Sequence, residues 1–239
     1  MSCILNIETS TSVCSVALSM DGEVLFAKAS FDGPSHAALL GVFVEEALSV
    51  LKKKGKKALD AVAVSSGPGS YTGLRIGVSV AKGLCFGFGI PLIGIHTLDI
   101  MAATVNSKGD SQIVSMTDNC LYCAMLDARR MEVYAAIYDA SLKPVRETKA
   151  DIVEVGTYAS YLEKGKVCFF GNGASKCKSV ITSPNAIFIE DIHPLAVNMI
   201  PLSEQAFADG KFEDTAYFEP FYLKEFQATV AKNKVLLAR

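Results

Sequence analysis

The stretch Ala61-Val62-Ala63-Val64-Ser65-Ser66-Gly67-Pro68-Gly69-Ser70-Tyr71-Thr72-Gly73-Leu74-Arg75-Ile76-Gly77 decides the fold. A short, continuously apolar run reads as an interior parallel strand. Gly67 to Gly73 reads as a tight loop, and Leu74 onward as a helix. A second helix is expected just upstream, over Ser35 to Leu51, with Ser35 as its N-cap and Lys52-Lys53-Lys54-Gly55 suited to its negative C-terminal end. Neither has the pattern of an ordinary surface helix. In the first, Ala37, Ala38, Leu39, Leu40, Val42, Phe43, Val44, Ala47, Leu48, Val50 and Leu51 wrap nearly the whole circumference. A helix apolar all round is normally buried all round. The second carries Gly69, Gly73, Gly77, Gly83 and Gly87. Each glycine inside a helix costs about 1 kcal/mol relative to alanine, so the series implies close approach of another backbone. Small residues at this stride also mark membrane helix pairs, but Arg75, Lys82 and Pro91 argue against a span. Two adjacent helices forming an association surface is the reading that results.

Outward from this stretch, Cys3 to Ile7, Val13 to Met20 and Glu23 to Ala29 read as an antiparallel meander, with Asp21-Gly22 as its hairpin turn. Pro91 to Ile95 is another buried strand, and a helix from Thr97 to about Val105 closes the first half. Meander followed by strand–helix–strand predicts an α/β protein with a mixed sheet. After the polar run 106–111 a similar order restarts. Gln112–Met116 reads as a short strand, Cys123–Asp127 and Met131–Tyr138 as a hairpin, and Pro144–Val155 as an extended stretch. Thr157–Glu163 reads as a helix, Lys166–Phe170 as a strand, and Gly171-Asn172-Gly173-Ala174 as the start of another helix. Ile187–Ile189 is a short strand, Pro194–Asp209 a helix kinked or broken at Pro201, and Tyr217–Leu223 an aromatic, docked segment. The expected organisation is a first lobe over 1–107, a degenerate second lobe over 108–193, and a helix and tail over 194–239 returning to the first lobe.

The 239 residues are half apolar and one-fifth charged, which excludes a disordered chain. Net charge is −2 without a basic stripe, so a direct, tight grip on nucleic acid is not expected. The seven cysteines sit mostly in apolar runs. With neither a leader-like N-terminus nor an apolar run of spanning length, they fit a reducing cytoplasm.

Motifs that carry chemistry are sparse. Glu8-Thr9-Ser10-Thr11-Ser12 is a hydroxyl-rich loop, readable either as a phosphate-binding turn or as a polar hairpin loop. The Gly67–Gly73 loop is equally readable as an anion cradle or a tight turn, but it lacks the lysine and hydroxyl order of a P-loop. His36, His96 and His193 form no His-x3-His pair, since the residue four after His36 is Leu40. No metal site is expected. Cys120-Leu-Tyr-Cys123 is a lone Cys-x-x-Cys leading into a strand, which suits core cysteines better than a redox pair. No Gly-x-Ser-x-Gly elbow occurs, and no catalytic residue is assigned.

Ile4-Leu5-Asn6-Ile7-Glu8-Thr9-Ser10-Thr11, the His36 helix, the block Ser66 to Gly77, and Asp127-Ala-Arg129-Arg130-Met131-Glu132-Val133-Tyr134 together resemble the bacterial TsaB (YeaZ) family. The resemblance reaches about Tyr138. It implies an actin-like ATPase (ribonuclease H-like) fold of two related lobes. It also implies a non-catalytic role beside the paralogue TsaD, which transfers threonylcarbamoyl to N6 of adenosine 37 in tRNAs reading codons that begin with A. The catalytic sister carries a His-x3-His metal pair on its equivalent of the first helix, where this chain has His36 and Leu40. The small ATPase TsaE completes the set, the isolated chain is expected to self-pair, and tRNA is expected only through the complex. The residues that the resemblance places at the partner interface are His36, Leu39, Leu40, Phe43, Ala47, Tyr71, Leu74, Arg75 and Val78. Glu8, Thr9, Ser10, Gly67, Gly69 and Ser70 are the vestigial nucleotide residues, with no cofactor held tightly and weak ATP or ADP at the partner interface. An actin-fold phosphotransferase or a metallopeptidase-like enzyme is the alternative.

Overall fold

The computed structural model describes residues 2–33, 35–55, 58–107 and 120–223. The meander forms as β1 (Cys3–Glu8), β2 (Cys14–Met20) and β3 (Glu23–Ser30), followed by α1 (His36–Lys53), β4 (Ala61–Gly67), α2 (Tyr71–Phe88) and β5 (Leu92–His96). Strand order across the sheet is β3-β2-β1-β4-β5, antiparallel through the meander and parallel from β1 to β5. Ile7 lies opposite Val16 on one side and Val64 on the other.

β1 is buried along its whole length because both of its faces are covered. Alternate side chains go to opposite faces of a strand. Cys3, Leu5 and Ile7 join a core with Leu40, Phe43, Val44 and Ala47 of α1 and Val78 and Ala81 of α2. Ile4 faces the other way, into a second cluster with Ala63, Ile93, Ile100 and Met199. That second face is covered by α3 (Thr97–Ser107) and by a later helix from the other end of the chain.

The second sheet repeats the first. β6 (Leu121–Asp127), β7 (Glu132–Tyr138) and β8 (Pro144–Ile152) form a meander. A single helical turn α4 (Ala159–Leu162), β9 (Val167–Phe170), a 3-10 turn (Ser175–Cys177) and β10 (Ala186–Ile189) follow. The order β8-β7-β6-β9-β10 is the first sheet's order shifted by five strands, with Ala124 between Ala136 and Phe170 as Ile7 stands between Val16 and Val64. The helices expected over Thr157–Glu163 and after Gly171 shrink to the turns at Ala159–Leu162 and Ser175–Cys177. β-Branched Val180, Ile181 and Thr182 and then Pro184 follow the second turn, and such residues do not propagate a helix. The strand expected over Gln112–Met116 lies outside the described residues.

α5 (Ala196–Ala208) runs through Pro201 as one helix rather than breaking there. It lies against the first sheet, where Glu204 accepts hydrogen bonds from Ser2 Oγ (2.5 Å), Ser19 Oγ (3.0 Å) and the Gly22 amide (3.0 Å). α3 packs Leu98, Met101, Ala102 and Val105 onto the second sheet, and Asp99 accepts a 2.6 Å bond from the Tyr138 hydroxyl. Burial pushes the Asp99 carboxyl above its ordinary range. Cys120 and Cys123 fall in separate clusters of the second lobe, Cys120 with Cys168 and Cys123 with Cys177, so the Cys-x-x-Cys spacing does not make a pair. No helix among the described residues is long and apolar enough to cross a membrane.

Candidate association face

α1 and α2 lie side by side on the same face of the first sheet, and each splits lengthwise. Leu40, Phe43, Val44, Ala47 and Leu51 of α1 turn inward at helical spacing. Ala37, Ala38, Gly41, Val42, Glu45 and Ser49 are exposed, Val42 at 48%. On α2 the inward set is Gly73, Leu74, Gly77, Val78, Ala81 and Cys85. Thr72, Arg75, Ser79, Gly83, Phe86 and Gly87 face out, with Phe86 89% exposed. The outer face of the pair is therefore made mostly of small residues, with Val42, the charges Glu45 and Arg75, and Phe86 toward the end of α2.

The residues expected at a partner interface fall on both sides of this division. Leu40, Phe43, Ala47, Leu74 and Val78 are core residues of the chain's own first lobe, and His36 is buried with its Nε2 unpartnered. All six are 5% exposed or less in the isolated chain. Leu39 and Tyr71 are half-buried, and Arg75 is exposed. The residues that composition alone did not pick out are the outward ones, which a 3.6-residue count from the buried stripe would have found. Leu40→Ala is thus expected to cost about 2–5 kcal/mol of folding stability, measured by urea unfolding of the isolated chain. Unchanged unfolding with weakened pairing would put Leu40 back at the interface.

The glycine series divides in the same way. A Cβ on Gly69 would sit 2.3 Å from the Ser10 carbonyl, one on Gly73 2.2 Å from the Thr9 carbonyl, and one on Gly77 2.2 Å from Thr9 Oγ1. These three glycines let α2 close on the β1–β2 loop. Gly83 and Gly87 meet nothing within 4 Å and belong to the outer face.

That closure decides what the candidate nucleotide residues can do. A phosphate cradle needs free backbone N–H groups. Here the Ser10 amide donates to Glu8 Oε1 (2.5 Å), the Thr9 amide to Ser65 Oγ (3.4 Å), the Ser70 amide to the Ser10 carbonyl (2.6 Å), and the Gly73 amide to Ser70 Oγ (3.2 Å). Glu8, Thr9, Ser10 and Gly67 are buried, while Gly69 is half-buried and Ser70 exposed. Glu8 Oε2, Thr9 Oγ1 and Ser10 Oγ find no partner. Burial pushes the Glu8 carboxyl up to about 7, against the pull of the Ser10 amide and of the neighbouring Ser10 and Ser65 hydroxyls. Four amides of these loops are thus committed to the chain's own oxygens, beside a carboxyl that burial raises to about 7.

The segment after α5 returns across α2. The Glu213 amide pairs with the Leu92 carbonyl at the edge of β5 (2.9 Å), and Lys82 Nζ donates to the Ala216 (3.0 Å) and Phe218 (3.2 Å) carbonyls. The Phe221 amide then donates to the Ser66 carbonyl (2.6 Å), and the Phe221 carbonyl lies where a Cβ on Gly67, at φ +109°, would be only 2.7 Å away. Glycine is the residue that tolerates both that φ and that approach. The Phe221 ring meets His96 at 5.6 Å and forms one wall of a cavity of about 420 Å³ between the lobes, with Asp99, Tyr138 and Leu202.

A strand order used twice, with a helix-covered mixed sheet in each half, makes the chain an actin-like two-lobe α/β protein. Comparison with known proteins narrows the class. A family model described as "TsaD: tRNA N6-adenosine threonylcarbamoyltransferase" matches residues 33–232. The tRNA threonylcarbamoyladenosine biosynthesis protein TsaB of Escherichia coli (strain K12) is 31% identical, over 92% of this chain and 94% of its own. The solved structure of YeaZ from Pseudomonas aeruginosa, 26% identical, superposes with a TM-score of 0.76 over 93% of this chain and all of its own. A tRNA N6-adenosine threonylcarbamoyltransferase of Nitratidesulfovibrio vulgaris is 38% identical over 41% of this chain and 31% of its own. The chain belongs to the TsaB (YeaZ) family.

Proposed function

We propose that this chain is the non-catalytic partner of a paralogous tRNA N6-adenosine threonylcarbamoyltransferase and acts in threonylcarbamoyladenosine synthesis on tRNA. The observation that carries the reading is the outer face of α1 and α2, small, apolar and uncovered over Ala38, Val42, Ser79, Gly83 and Phe86. Monomers rarely leave such faces bare. The name of the E. coli relative and the match to the transferase model support the choice of partner. By binding one conformation of the transferase better than others, the chain shifts it toward the competent state. A second copy takes the same face when the transferase is missing, the ATPase TsaE joins the pair, and tRNA contacts the complex rather than this chain alone. In the cytoplasm, ATP or ADP is held weakly at the joint interface, since the amides of Thr9, Ser10, Ser70 and Gly73 already donate within the chain.

Reconstitution tests the reading: purified transferase with and without this chain, scoring modified adenosine in tRNA. Modification that depends on the chain is the expected result, and equal modification without it overturns the proposal. Turnover of Mg-ATP by the chain alone would favour the enzyme alternative instead. Val42→Arg places a charge at the centre of the face without touching the core. It is expected to weaken binding of the transferase at least about tenfold, with unchanged thermal unfolding.

A further inference from the structure

We propose that Arg75, clamped between Tyr71 and the C-terminal segment's Tyr222, is a preformed carboxylate-binding arm of the association face, and that its occupant is an Asp or Glu side chain of the paralogous transferase. The inference rests on the reading above and adds the residue that fixes its register.

Arg75 is exposed, one turn into α2. Its guanidinium carbon lies 4.2 Å from the centroid of the Tyr71 ring, and its Nε donates to the Tyr222 hydroxyl at 3.3 Å. The Tyr71 and Tyr222 rings approach to 5.1 Å. Both tyrosines are anchored. Tyr71 is the first residue of a helix whose N-cap, Ser70, accepts from the Gly73 amide. Tyr222 follows Phe221, whose backbone is bonded to Ser66 and seated over Gly67. An exposed arginine ordinarily has much rotamer freedom to lose on binding. Here stacking and one hydrogen bond have already removed much of it, and preorganisation of this kind strengthens association.

What the clamp leaves open determines the ligand. With Nε engaged, the Nη1 and Nη2 edge has, among the described residues, neither a hydrogen-bond partner nor a carboxylate within ion-pair distance, Glu219 acting on it only from farther off. That edge presents two parallel N–H groups, the arrangement that takes a carboxylate bidentately. Phosphate would also fit one guanidinium, but a nucleic-acid backbone needs several cations in a row. The nearest other cation on α2, Lys82, is committed to two carbonyls of the C-terminal segment, and the exposed charges of α1 are Glu45 and, at its last turn, Lys52 and Lys53. A single fixed arginine in such a surface has the character of a protein–protein hot spot.

The test measures equilibrium binding of the purified transferase to the full chain and to Arg75→Ala, Arg75→Lys and Tyr222→Phe, each at low and high salt. Arg75→Ala and Arg75→Lys are both expected to weaken binding about 10- to 100-fold, because lysine keeps the charge but not the fork. Tyr222→Phe removes one hydroxyl and is expected to weaken binding about three- to tenfold. The salt dependence seen with the unaltered chain should flatten in Arg75→Ala, a change that a merely structural role would not produce, and thermal unfolding should not move. Arg75→Lys binding as well as the unaltered chain, or unchanged binding by Arg75→Ala, overturns the inference and leaves the proposed partnership standing. No binding by the unaltered chain overturns both. A loss confined to tRNA binding overturns the carboxylate assignment.

Discussion

Gly73→Ala is expected to destabilise the chain by about 3 kcal/mol or more, while Gly83→Ala, ten residues on in the same helix, is expected to stabilise it by about 0.5–1 kcal/mol. The opposite signs follow from what each new methyl group would meet. At Gly73 it would lie 2.2 Å from the Thr9 carbonyl oxygen, a backbone atom at the end of β1 that cannot move without shifting the strand. Either α2 backs away from the β1–β2 loop or Thr9 retreats into a filled core. Both break the bond from the Ser70 amide to the Ser10 carbonyl (2.6 Å) that joins the two loops. At Gly83 the methyl group meets nothing within 4 Å, and only the entropic benefit of replacing a helical glycine remains. For a chain of this size the midpoint of thermal unfolding should fall by about 6–12 °C in the first variant and rise by about 1–4 °C in the second. A Gly73→Ala protein that melts with the unaltered chain would mean that α2 does not close on the loop. The same Gly83→Ala protein carries a second readout. If the outer face of α2 is a close-packed interface, the variant gains stability alone but loses affinity for the transferase.

The glycine series also marks where sequence reading stopped. Its regular stride was visible, but the stride is the same whether a glycine faces the chain's own β1–β2 loop or a foreign helix. The distinction between Gly73 and Gly83 depends on where β1 ends relative to the helix, which is a tertiary fact. The all-round apolar composition of α1 behaves likewise. Leu40 and Val42 are equally apolar, and only the position of the sheet makes one core and the other surface. The first lobe was legible because its strands are long or bounded by clear turns, Asp21-Gly22 above all. The second lobe was less so, since β9 and β10 are four residues each and their joining segment holds only a 3-10 turn. The duplication shows in the strand order, not in residue-level similarity. Tyr222 was visible as one of an aromatic cluster near the chain's end, but nothing near it in sequence points to Arg75, 147 positions away.

Glu8→Gln is expected to stabilise the chain by about 3 kcal/mol at pH 9 and to change little at pH 4. Glu8 ends β1, fully buried, with the Ser10 amide on one oxygen and no partner on the other. Removal from water is the dominant influence on this carboxyl, and it raises the titration from 4.5 to about 7. Between those values the native chain holds a proton that the unfolded chain has released. Stability therefore falls as pH rises through that window. The penalty is absent below about pH 4 and fully developed above about pH 8, and 2.5 units correspond to about 3 kcal/mol. Glutamine keeps the acceptor for the Ser10 amide, has no charge to bury, and should flatten the profile. Urea unfolding of both proteins from pH 4 to 9 measures this directly. Parallel profiles would show that Glu8 ionises in the folded chain at no cost, which requires a cation or donor beside Oε2. Rotation of the Ser10 or Ser65 hydroxyl would supply a donor, and opening of the β1–β2 and β4–α2 loops would supply water. Loops that open would also free the amides of Ser10, Ser70 and Gly73 together, so hydrogen exchange at those three amides separates opening from hydroxyl rotation.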